Sequence, residues 1–585
     1  MNHLTKFDTY SEYVTFRNSQ NYERPNVSSI LEDWSVRYEG SLTFKMKSLS
    51  GAIEINKVGT ASNLTANIEY SIDGGHFWDN YVFSNNKGLH IELSKGDSIK
   101  FRGVNTKFSH SSNTYYNFAM SGDFNARGDV TSLINGAGGD CALPNFAFVG
   151  LFSGCTSLLT PPKLPSTTLS KRCYDNLFKW CSSMKIAPEL PAKNLSEGCY
   201  RVMFGNCYSL TKAPKLQATV MVKECYTGMF QHASALNDIS EIVFPENTAE
   251  RCFANMFNDC AITAAPELPA TTLSVGCYFQ MFNRCTSLVH AVPKIPATVF
   301  PNSSCCNMFF YCVNLIDTPK MNSAVTVNTS AMKQMFFACS SLTEFSDSAL
   351  TAMNLGDSCY YSMFSYCRDF TGQVFLPATT LKPYCYAYMF AVSPSLSAYN
   401  YVLPAETLKE YCYRNMFAAT SLVSPVEMSA KTMGSDSCFA MYCSCFTLTI
   451  TPYFNSITSL GNECFNCMFQ DCISLESVRE LPATVIPYGA YWSMFYHCRS
   501  LTGVPYLGNP TSVGGSAYQR MFEGCSNLTY IKAMFTTWPN GTGEWVAGVK
   551  STGTFVANAN ADFLSSPPRG SGGIPNKWTI QTATS

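Results

Sequence analysis

The chain has few charged residues and no long apolar stretch. Only 14% of its 585 residues are charged and the formal net charge is -1, whereas an average soluble protein has about 25% charged residues. Nucleic acids and anionic membranes are bound through clustered positive charge, so neither is expected as a partner. The longest apolar runs are far shorter than the ~18 residues that a membrane helix needs, which argues against membrane insertion.

Catalytic signatures are also missing. The seven histidines are scattered, and the sequence contains no G-x-S-x-G, no H-E-x-x-H and no phosphate-binding loop. Carboxylates such as Glu189 and Glu267 recur at repeat positions, where a solvated strand face explains them better than a glycosidase acid pair. We therefore expect a protein that is not an enzyme and has no cofactor and no metal; a glycan-cleaving depolymerase is the catalytic alternative.

What the sequence has instead is one motif that recurs fifteen times. C-Y-x-x-M-F-x-x-C followed by S-L returns every 25 to 28 residues, from Leu151-Phe152 to Met521-Phe522. Self-similarity at this period is typical of a solenoid, in which each unit buries its apolar face against its neighbours. Most of the chain is therefore predicted to be a stacked array.

Each unit is predicted to contain a short helix and a strand. In one unit Cys173, Tyr174, Leu177, Phe178 and Cys181 fall within a ~140° arc at about 100° per residue, which predicts one buried helical face. A proline-punctuated run such as residues 187–192 follows, and proline disfavours a second helix there. Strands that stack at ~4.8 Å would make a parallel ribbon roughly 70 Å long.

The 27 cysteines lie between Cys141 and Cys525, and 21 of them occupy two slots of the repeat, four residues before the Met and three after the Phe. Other units carry alanine in these slots, as at Ala147 and Ala233, which indicates a need for small size rather than for sulfur. The two cysteines of one helix would lie about 12 Å apart, whereas a disulfide needs Cα atoms within ~7 Å. We predict reduced thiols in the core.

Three further regions flank or precede the solenoid. Residues 1–38 are polar and irregular, with a helix candidate at Tyr10 to Arg17, and are predicted to be an attachment arm. Residues 39–138 have short alternating runs separated by turns, which predict an antiparallel β-sandwich. The solenoid then covers 139–530, and residues 531–585 are predicted to cap its last strand edge.

Two short motifs occur near the predicted sandwich. Ser71-Ile72-Asp73-Gly74-Gly75-His76-Phe77-Trp78 resembles the Asp-box of sialidases; a single copy is interpreted as a hairpin brace in which the aspartate accepts backbone N–H bonds. Arg127-Gly128-Asp129 would be an integrin-type tripeptide if displayed, but an ordinary turn between strands is the favoured interpretation.

The candidate binding residues lie in one column, at the position just after the repeat proline. Alternation should point this column outward, opposite the buried leucine that follows. Its first half largely alternates in charge, as in Lys163 and Glu189, and its second half turns aromatic. Exposed aromatics there would bind sugar rings or a protein partner, with cross-strand packing as the alternative interpretation; the candidates are Phe375, Tyr401, Tyr453 and Tyr506.

The repeat resembles a known family. Units such as residues 265–273, followed by Cys277-Tyr278-x-x-Met281-Phe282-x-x-Cys285-Thr286-Ser287-Leu288, resemble the BspA-type leucine-rich repeats of bacterial surface proteins. The resemblance covers about residues 141 to 530. It implies an α/β leucine-rich solenoid that serves adhesion or recognition without catalysis.

The flanks resemble proteins of crAss-like tailed phages. The segments that carry this resemblance are 7–13, 25–28, 70–75, 553–556 and 573–579. It implies a virion fibre or receptor-binding component, whose residues 1–38 bind other virion proteins and whose solenoid binds a host surface glycan or protein. Attachment through identical arms implies a homo-oligomer, a trimer if it is a fibre.

The expected location is the virion surface, and a bacterial cell-surface adhesin is the alternative. The first residues, Met1 to Phe7, have no apolar leader region, so we expect a protein made in a reducing cytoplasm without a signal peptide.

Overall fold

The structure is a computed structural model, and it describes residues 40–59, 66–83, 88–106, 108–321, 324–347, 349–481 and 485–584. The predicted arm at residues 1–38, with its helix candidate at Tyr10 to Arg17, lies outside these ranges.

Antiparallel strands come first. Their bounds, with those of the short strand that follows them, are β1 Leu42–Met46, β2 Ser50–Val58, β3 Asn67–Ser71, β4 Asp79–Val82, β5 Leu89–Ser94, β6 Ser98–Arg102, β7 Ser109–Ser111, β8 Thr114–Ser121, β9 Phe124–Arg127 and β10 Leu158–Thr160. One sheet has the order β10-β9-β1-β6-β3-β4 and the other the order β5-β2-β8-β7. The two sheets pack face to face, since the ring centroids of Phe44 in β1 and Phe118 in β8 are 5.3 Å apart. This is the antiparallel sandwich of the predicted fold class.

The sandwich joins the solenoid without a break in hydrogen bonding. The first repeat strand, β10, pairs in parallel with β9, after a short helix, α1, at Ser132–Asn135. Phe118 stacks on Phe152 of the first repeat at 5.4 Å, and its carbonyl accepts the Cys155 thiol at 3.0 Å. Phe118 therefore stands where the phenylalanine of a preceding coil would stand.

The strand half of each repeat is short and parallel. Single parallel bridges such as Thr168 to Asn194 and Leu190 to Leu216 join neighbouring coils. Longer pairings form in places, with the bounds β11 Val299–Phe300, β12 Thr326–Val327, β13 Asn354–Leu355, β14 Val485–Ile486, β15 Gly503–Leu507, β16 Ser512–Val513, β17 Tyr530–Ala533, β18 Thr554–Asn558 and β19 Thr579–Ala583. The sheets are β11-β12-β13, β14-β16 and β15-β17-β18-β19. The predicted repeat solenoid is confirmed.

The other half of each repeat buries the predicted residues on a different backbone. Cys173, Tyr174, Leu177, Phe178 and Cys181 are all at most 1% exposed, as the motif predicts. The segment that holds them is a run of hydrogen-bonded turns and not a helix. We call this segment of each coil the turn ribbon. The prediction of a short helix in each unit is therefore wrong, because the backbone forms turns. The prediction of which residues are buried is confirmed.

Two kinds of hydrogen bond alternate along the turn ribbon. Asp175 N–H donates to the Arg172 carbonyl three residues back at 3.3 Å, whereas Asn176 N–H donates to Arg201 in the next coil at 2.9 Å. Every fourth residue has positive φ, as at Arg172 (52°), Asn176 (56°) and Trp180 (67°). The offsets 0, 1, 4, 5 and 8 of the buried residues fit a period of four as well as the helical 3.6, which is why the motif suggested a helix.

A ladder of phenylalanine rings runs through the core. Phe178 and Phe204 in successive coils stack at 5.8 Å with their planes 5° apart, and the same contact repeats as far as Phe495 and Phe522 at 5.6 Å, with Tyr442 as the one tyrosine in the series. Trp545 ends the ladder, since the N–H of Phe522 donates to its carbonyl at 2.7 Å. Parallel ring pairs of this kind add about 0.5–1.5 kcal/mol each beyond the area that they bury.

The cysteine slot after the phenylalanine also supplies a hydrogen-bond donor. Cys339 Sγ donates to the carbonyl of Phe309 in the preceding coil at 3.1 Å, and the same bond recurs at the other cysteines of this slot. Ser393 replaces it with a hydroxyl that donates to Phe364 at 3.0 Å. Small size therefore explains only one property of this slot, because most of its residues also donate a hydrogen bond to the preceding coil. Ala233 shows that the donor is helpful and not obligatory.

All 27 cysteines are free, and all but Cys141, Cys443 and Cys467 are buried, as reduced core thiols are predicted to be. Burial raises the pKa of Cys173 to about 12 and that of Cys306 to about 11. The thiolate is the form that reacts with disulfides and oxidants, so these buried groups are held in an unreactive state.

We predict that a thiol-specific disulfide reagent will titrate at most three cysteines in the native protein and all 27 after denaturation. The reaction of the remaining thiols should be limited by unfolding, because burial suppresses both access and ionisation. Rapid native reaction of more than the three half-buried thiols would contradict this packing.

We also predict a loss of stability at alkaline pH. Thiols of the unfolded chain ionise near pH ~8.5, whereas the buried thiols of the folded chain stay protonated. Because the unfolded state then binds fewer protons, each such thiol lowers the free energy of unfolding by about 1.4 kcal/mol per pH unit above that point. Melting temperatures should fall steeply between about pH 8 and pH 10 and should stay nearly level from pH 6 to pH 8.

Candidate recognition surfaces

The predicted outward column on the strand face is observed. Glu189 and Glu267 are exposed, whereas the following residues Leu190 and Leu268 are 3% and 2% exposed. The register changes at Tyr401, where the exposed Val402 is inserted before the buried Leu403. Alternation along a strand therefore places this column in solvent, as expected.

Phe375 and Tyr401 form the most accessible aromatic pair of the column. Their ring centroids are 5.2 Å apart and their planes are inclined by 53°. Phe375 is 39% exposed, and Tyr401 is half-buried because it also contacts Tyr399 at 5.9 Å. Two inclined rings with free surface can receive the apolar face of a sugar ring or of a side chain.

Tyr453 is more exposed but has one ring face covered. The guanidinium of Arg479 lies 3.4 Å from the ring centroid, and Glu427 holds that guanidinium through an Oε1 to Nη1 distance of 3.0 Å. Glu427 also accepts the backbone N–H of Tyr453 at 3.2 Å. This cation–π contact leaves a ring edge and a charged group for a ligand, not a free ring face.

Tyr506 is half-buried, and the ammonium of Lys532 lies 5.6 Å from its ring centroid. Glu427 and Glu480 interrupt the column between the aromatic positions. The structure therefore brings Phe375 and Tyr401 together and leaves Tyr453 and Tyr506 as separate points, each beside a cation.

A second aromatic surface, which the sequence analysis missed, lies on the outward side of the turn ribbon. We call it the tyrosine cluster: Tyr361, Tyr384, Tyr388, Tyr411 and Phe439, all half-buried. Tyr384 and Tyr411 stack at 4.5 Å with planes 15° apart. Tyr361 and Tyr388 lie 5.4 Å apart and are inclined by 51°.

Arg414 organises the tyrosine cluster. Its guanidinium is 4.1 Å from the ring centroid of Phe439, its Nε donates to Tyr388 Oη at 3.2 Å, and its Nη1 is 3.5 Å from Asp436 Oδ1. The Asp436 carboxylate raises the pKa of the Tyr411 hydroxyl, which therefore remains a hydrogen-bond donor at neutral pH. Reading the variable positions of the motif down the stack would have revealed this surface.

The Asp-box hairpin has the predicted bracing role. Asp73 Oδ1 accepts the backbone N–H of His76 at 3.0 Å and of Phe77 at 3.1 Å, as well as the Ser71 hydroxyl at 2.7 Å. Gly74 and Gly75 have φ of 83° and 101°, values that L side chains rarely adopt. The carboxylate oxygens are thus engaged within the hairpin.

The Arg127-Gly128-Asp129 tripeptide is a bend at Gly128 between the end of β9 and a parallel bridge from Asp129 to Lys163, close to the expected turn between strands. Asp129 is 8% exposed, and its Oδ2 accepts the Gly139 N–H at 2.9 Å. Gly128 has φ of 68° and packs against the Ser41 carbonyl. A buried, engaged aspartate cannot be displayed to an integrin-type receptor.

In the part of the chain that the structure describes, no three histidine, cysteine, aspartate or glutamate side chains converge as metal ligands. Among the helices within the described ranges, none has the length and hydropathy needed to cross a membrane.

No protein-family model and no curated protein matches the chain. Among solved structures, it is similar to a leucine-rich repeat protein from Bacteroides ovatus ATCC 8483, with 17% sequence identity and a TM-score of 0.38, over 68% of this chain and 82% of that chain. It is also similar to a leucine rich cell surface protein from Faecalibacterium prausnitzii A2-165, with 13% identity and a TM-score of 0.27, over 63% of this chain and 83% of that chain.

We predict that Asp73→Ala will loosen the hairpin, because the backbone donors that it now binds would lose their acceptor at a cost of about 1–3 kcal/mol. Hydrogen exchange of the amides of residues 71–78 should accelerate, and Asp73→Asn, which keeps one acceptor oxygen, should have a smaller effect. Unchanged exchange in Asp73→Ala would show that the glycines alone fix this turn.

Proposed function

We propose that the protein is a non-catalytic recognition protein, a fibre or receptor-binding component of a phage virion. Its residues 1–38 would anchor it to other virion proteins, and its solenoid would present a binding surface to a glycan or protein of the host cell. The resemblance of the flanking segments to crAss-like phage proteins supports the virion, and the repeat type supports adhesion.

The observation that carries the recognition role is a constant core beneath a changing surface. The phenylalanine ladder and the thiol slot persist through the coils, whereas the outward column passes from charged residues such as Lys163 to aromatic ones such as Phe375. The fold accepts either kind of residue at this position, so the aromatic section is not needed for folding. Concentrated exposed aromatics are typical of binding surfaces.

The grooves of the described residues give little support to a depolymerase. A groove of about 440 Å³ beside Thr380, Thr407 and Lys409 contains one carboxylate, that of Glu406. Its Oε1 is 2.8 Å from Lys431 Nζ. Glycoside hydrolysis generally needs two carboxyl groups about 5–9.5 Å apart across a cleft, so binding is the favoured role here.

A bacterial cell-surface adhesin is the alternative, and it would use the same solenoid. The two proposals differ in where the chain is found and how its N-terminus is processed. Mass spectrometry of purified virions that contain the chain with Met1 intact would support the virion component. A longer gene product with a cleaved, lipidated leader on the cell surface would support the adhesin.

We predict that Phe375→Lys combined with Tyr401→Glu will weaken ligand binding by about tenfold or more, because the variant removes the accessible aromatic pair at a cost of at least ~1.4 kcal/mol. The fold should tolerate both changes, since Lys163 and Glu189 occupy the same column. Binding of the full chain to a glycan array and to intact candidate host cells measures the effect.

The matched control is Val243→Lys, which changes a 77% exposed residue of the same column outside the aromatic section. It should bind like the unaltered chain. Equal loss of binding in the control, or full binding by the double variant, would place the recognition surface elsewhere on the solenoid.

A further inference from the structure

The turn ribbon has an edge whose chemistry changes abruptly along the stack. The two residues that follow the phenylalanine of each coil lie along this edge, and we call the row that they form the outer strip. Its larger side chains reach solvent, whereas small ones such as Ala391 and Ala418 are 3% and 8% exposed and lie low between their neighbours. In six successive coils none of its twelve residues is charged: Phe310, Tyr311, Phe337, Ala338, Ser365, Tyr366, Ala391, Val392, Ala418, Ala419, Cys443 and Ser444. The coil before this stretch contributes Arg284, and the coil after it contributes Asp471.

The first half of the uncharged stretch is a ridge of aromatic rings. Phe310 and Phe337 stack at 4.8 Å with planes 4° apart, and Tyr366 follows Phe337 at 5.1 Å. Tyr311 and Tyr366 are 48% and 44% exposed. The ridge thus stands above the ribbon over three coils, which is ~10 Å of solenoid axis.

The second half is a trough of small side chains on the same ribbon. The backbone hydrogen bonds between coils continue unchanged through this stretch. Tyr366 N–H donates to the Ala391 carbonyl, Val392 N–H to the Ala418 carbonyl and Ala419 N–H to the Cys443 carbonyl, each at 2.8 Å. Only the side chains change, from rings to methyl, hydroxyl and thiol groups. The surface therefore steps down by about the size of one aromatic side chain.

The fold does not require this division. The same two positions hold Lys179 and Trp180 in an early coil, Asn258 and Asp259 in a middle one, and Glu523 in the last. A charge-free ridge next to a charge-free trough of equal length is therefore a property of the surface and not of the repeat.

We propose that the outer strip is a docking surface for a second copy of this chain, in antiparallel orientation. A two-fold axis that crosses the strip between the coils of Met363 and Met389 pairs each coil of the ridge with a coil of the trough. Every ring then meets a small residue of the other copy: Phe310 meets Cys443, Tyr311 meets Ser444, Phe337 meets Ala418 and Tyr366 meets Val392. Such an isologous contact is self-complementary and closes on itself.

The charged residues at the two ends of the uncharged stretch are also placed symmetrically about this axis. Arg284 and Asp471 are seven coils apart, ~34 Å, and lie at equal distances from the axis, so Arg284 of each copy comes opposite Asp471 of the other. Arg284 is exposed and forms no ion pair within the described residues. Asp471 Oδ1 is 3.2 Å from His497 Nδ1 and its Oδ2 accepts the Gln470 side-chain amide at 3.1 Å, and the carboxylate side chain remains 33% exposed to a partner.

Parallel pairing of the two copies is disfavoured by the shape of the outer strip and by its charges. It would place ridge on ridge and leave the troughs unfilled, and it would set Arg284 against Arg284 and Asp471 against Asp471. Like charges in contact oppose association, and unfilled space forfeits contact energy. The opposite side of the coil, which holds the strand-face column, stays free for a ligand, so this self-association does not depend on the proposed function.

Sedimentation of the purified full chain tests the proposal. The unaltered chain should be a reversible dimer, and Ala418→Lys should be a monomer with unchanged near-ultraviolet circular dichroism, because Lys179 already occupies the equivalent position in another coil. Ser153→Lys makes the same change at that position of the first coil, beyond the reach of the partner, and should leave the dimer intact.

Charge reversal tests the antiparallel register. Arg284→Glu and Asp471→Lys should each raise the dimer dissociation constant by about tenfold, and the double variant should restore it, because the pairs re-form with opposite sign. A monomeric or trimeric unaltered chain, or a dimer that survives Ala418→Lys, would overturn the proposal. Two single reversals that weaken the dimer without rescue in the double variant would overturn the antiparallel pairing.

Discussion

The alternation of hydrogen bonds in the turn ribbon is the constraint on which the rest of the solenoid depends. One N–H folds back onto its own coil and the next crosses to the neighbouring coil, so the spacing between coils is fixed by a hydrogen-bond length. At that spacing, buried rings in equivalent positions stack nearly parallel, as in the phenylalanine ladder. The arrangement is open at both ends, and an unpaired ladder is costly. Phe118 from the sandwich and Trp545 from the last coil supply the missing partners.

The sequence patterns with the shortest period were the most informative. Alternation by twos predicts both the sandwich strands and the outward column, because in an extended chain it has one physical interpretation. The buried pattern of the turn ribbon has two possible physical interpretations, since its offsets fit a helix and a four-residue turn period equally. A discriminating signal was nevertheless present. Gly198, Gly228 and Gly276, together with Asn176 and Asn255, occupy the positive-φ positions, which glycine and asparagine tolerate best.

Other features depend on residues that are close only after folding. The donor role of the thiol slot involves a carbonyl of the preceding coil, 29 or 30 positions away at Cys181 and Cys339, and small size alone explains the alanine at Ala233. The candidate site was likewise only half predictable. Spacing places Phe375, Tyr401, Tyr453 and Tyr506 in one outward column, but it does not reveal that Arg479 covers one face of Tyr453. That contact requires a side chain from the neighbouring coil and an anchor at Glu427.

Separation of core from surface lets such a solenoid have two independent interfaces. The core fixes where each outward side chain stands, at steps of ~4.8 Å, whatever that side chain is. Substitutions on the strand face therefore need not alter the turn face, because each contacts its own neighbours in the stack and both rest on the same unchanged ladder. A ligand surface and a self-association surface can then vary separately. In a compact globular domain they would compete for shared packing, whereas here the thiols and rings between them keep the two faces energetically apart.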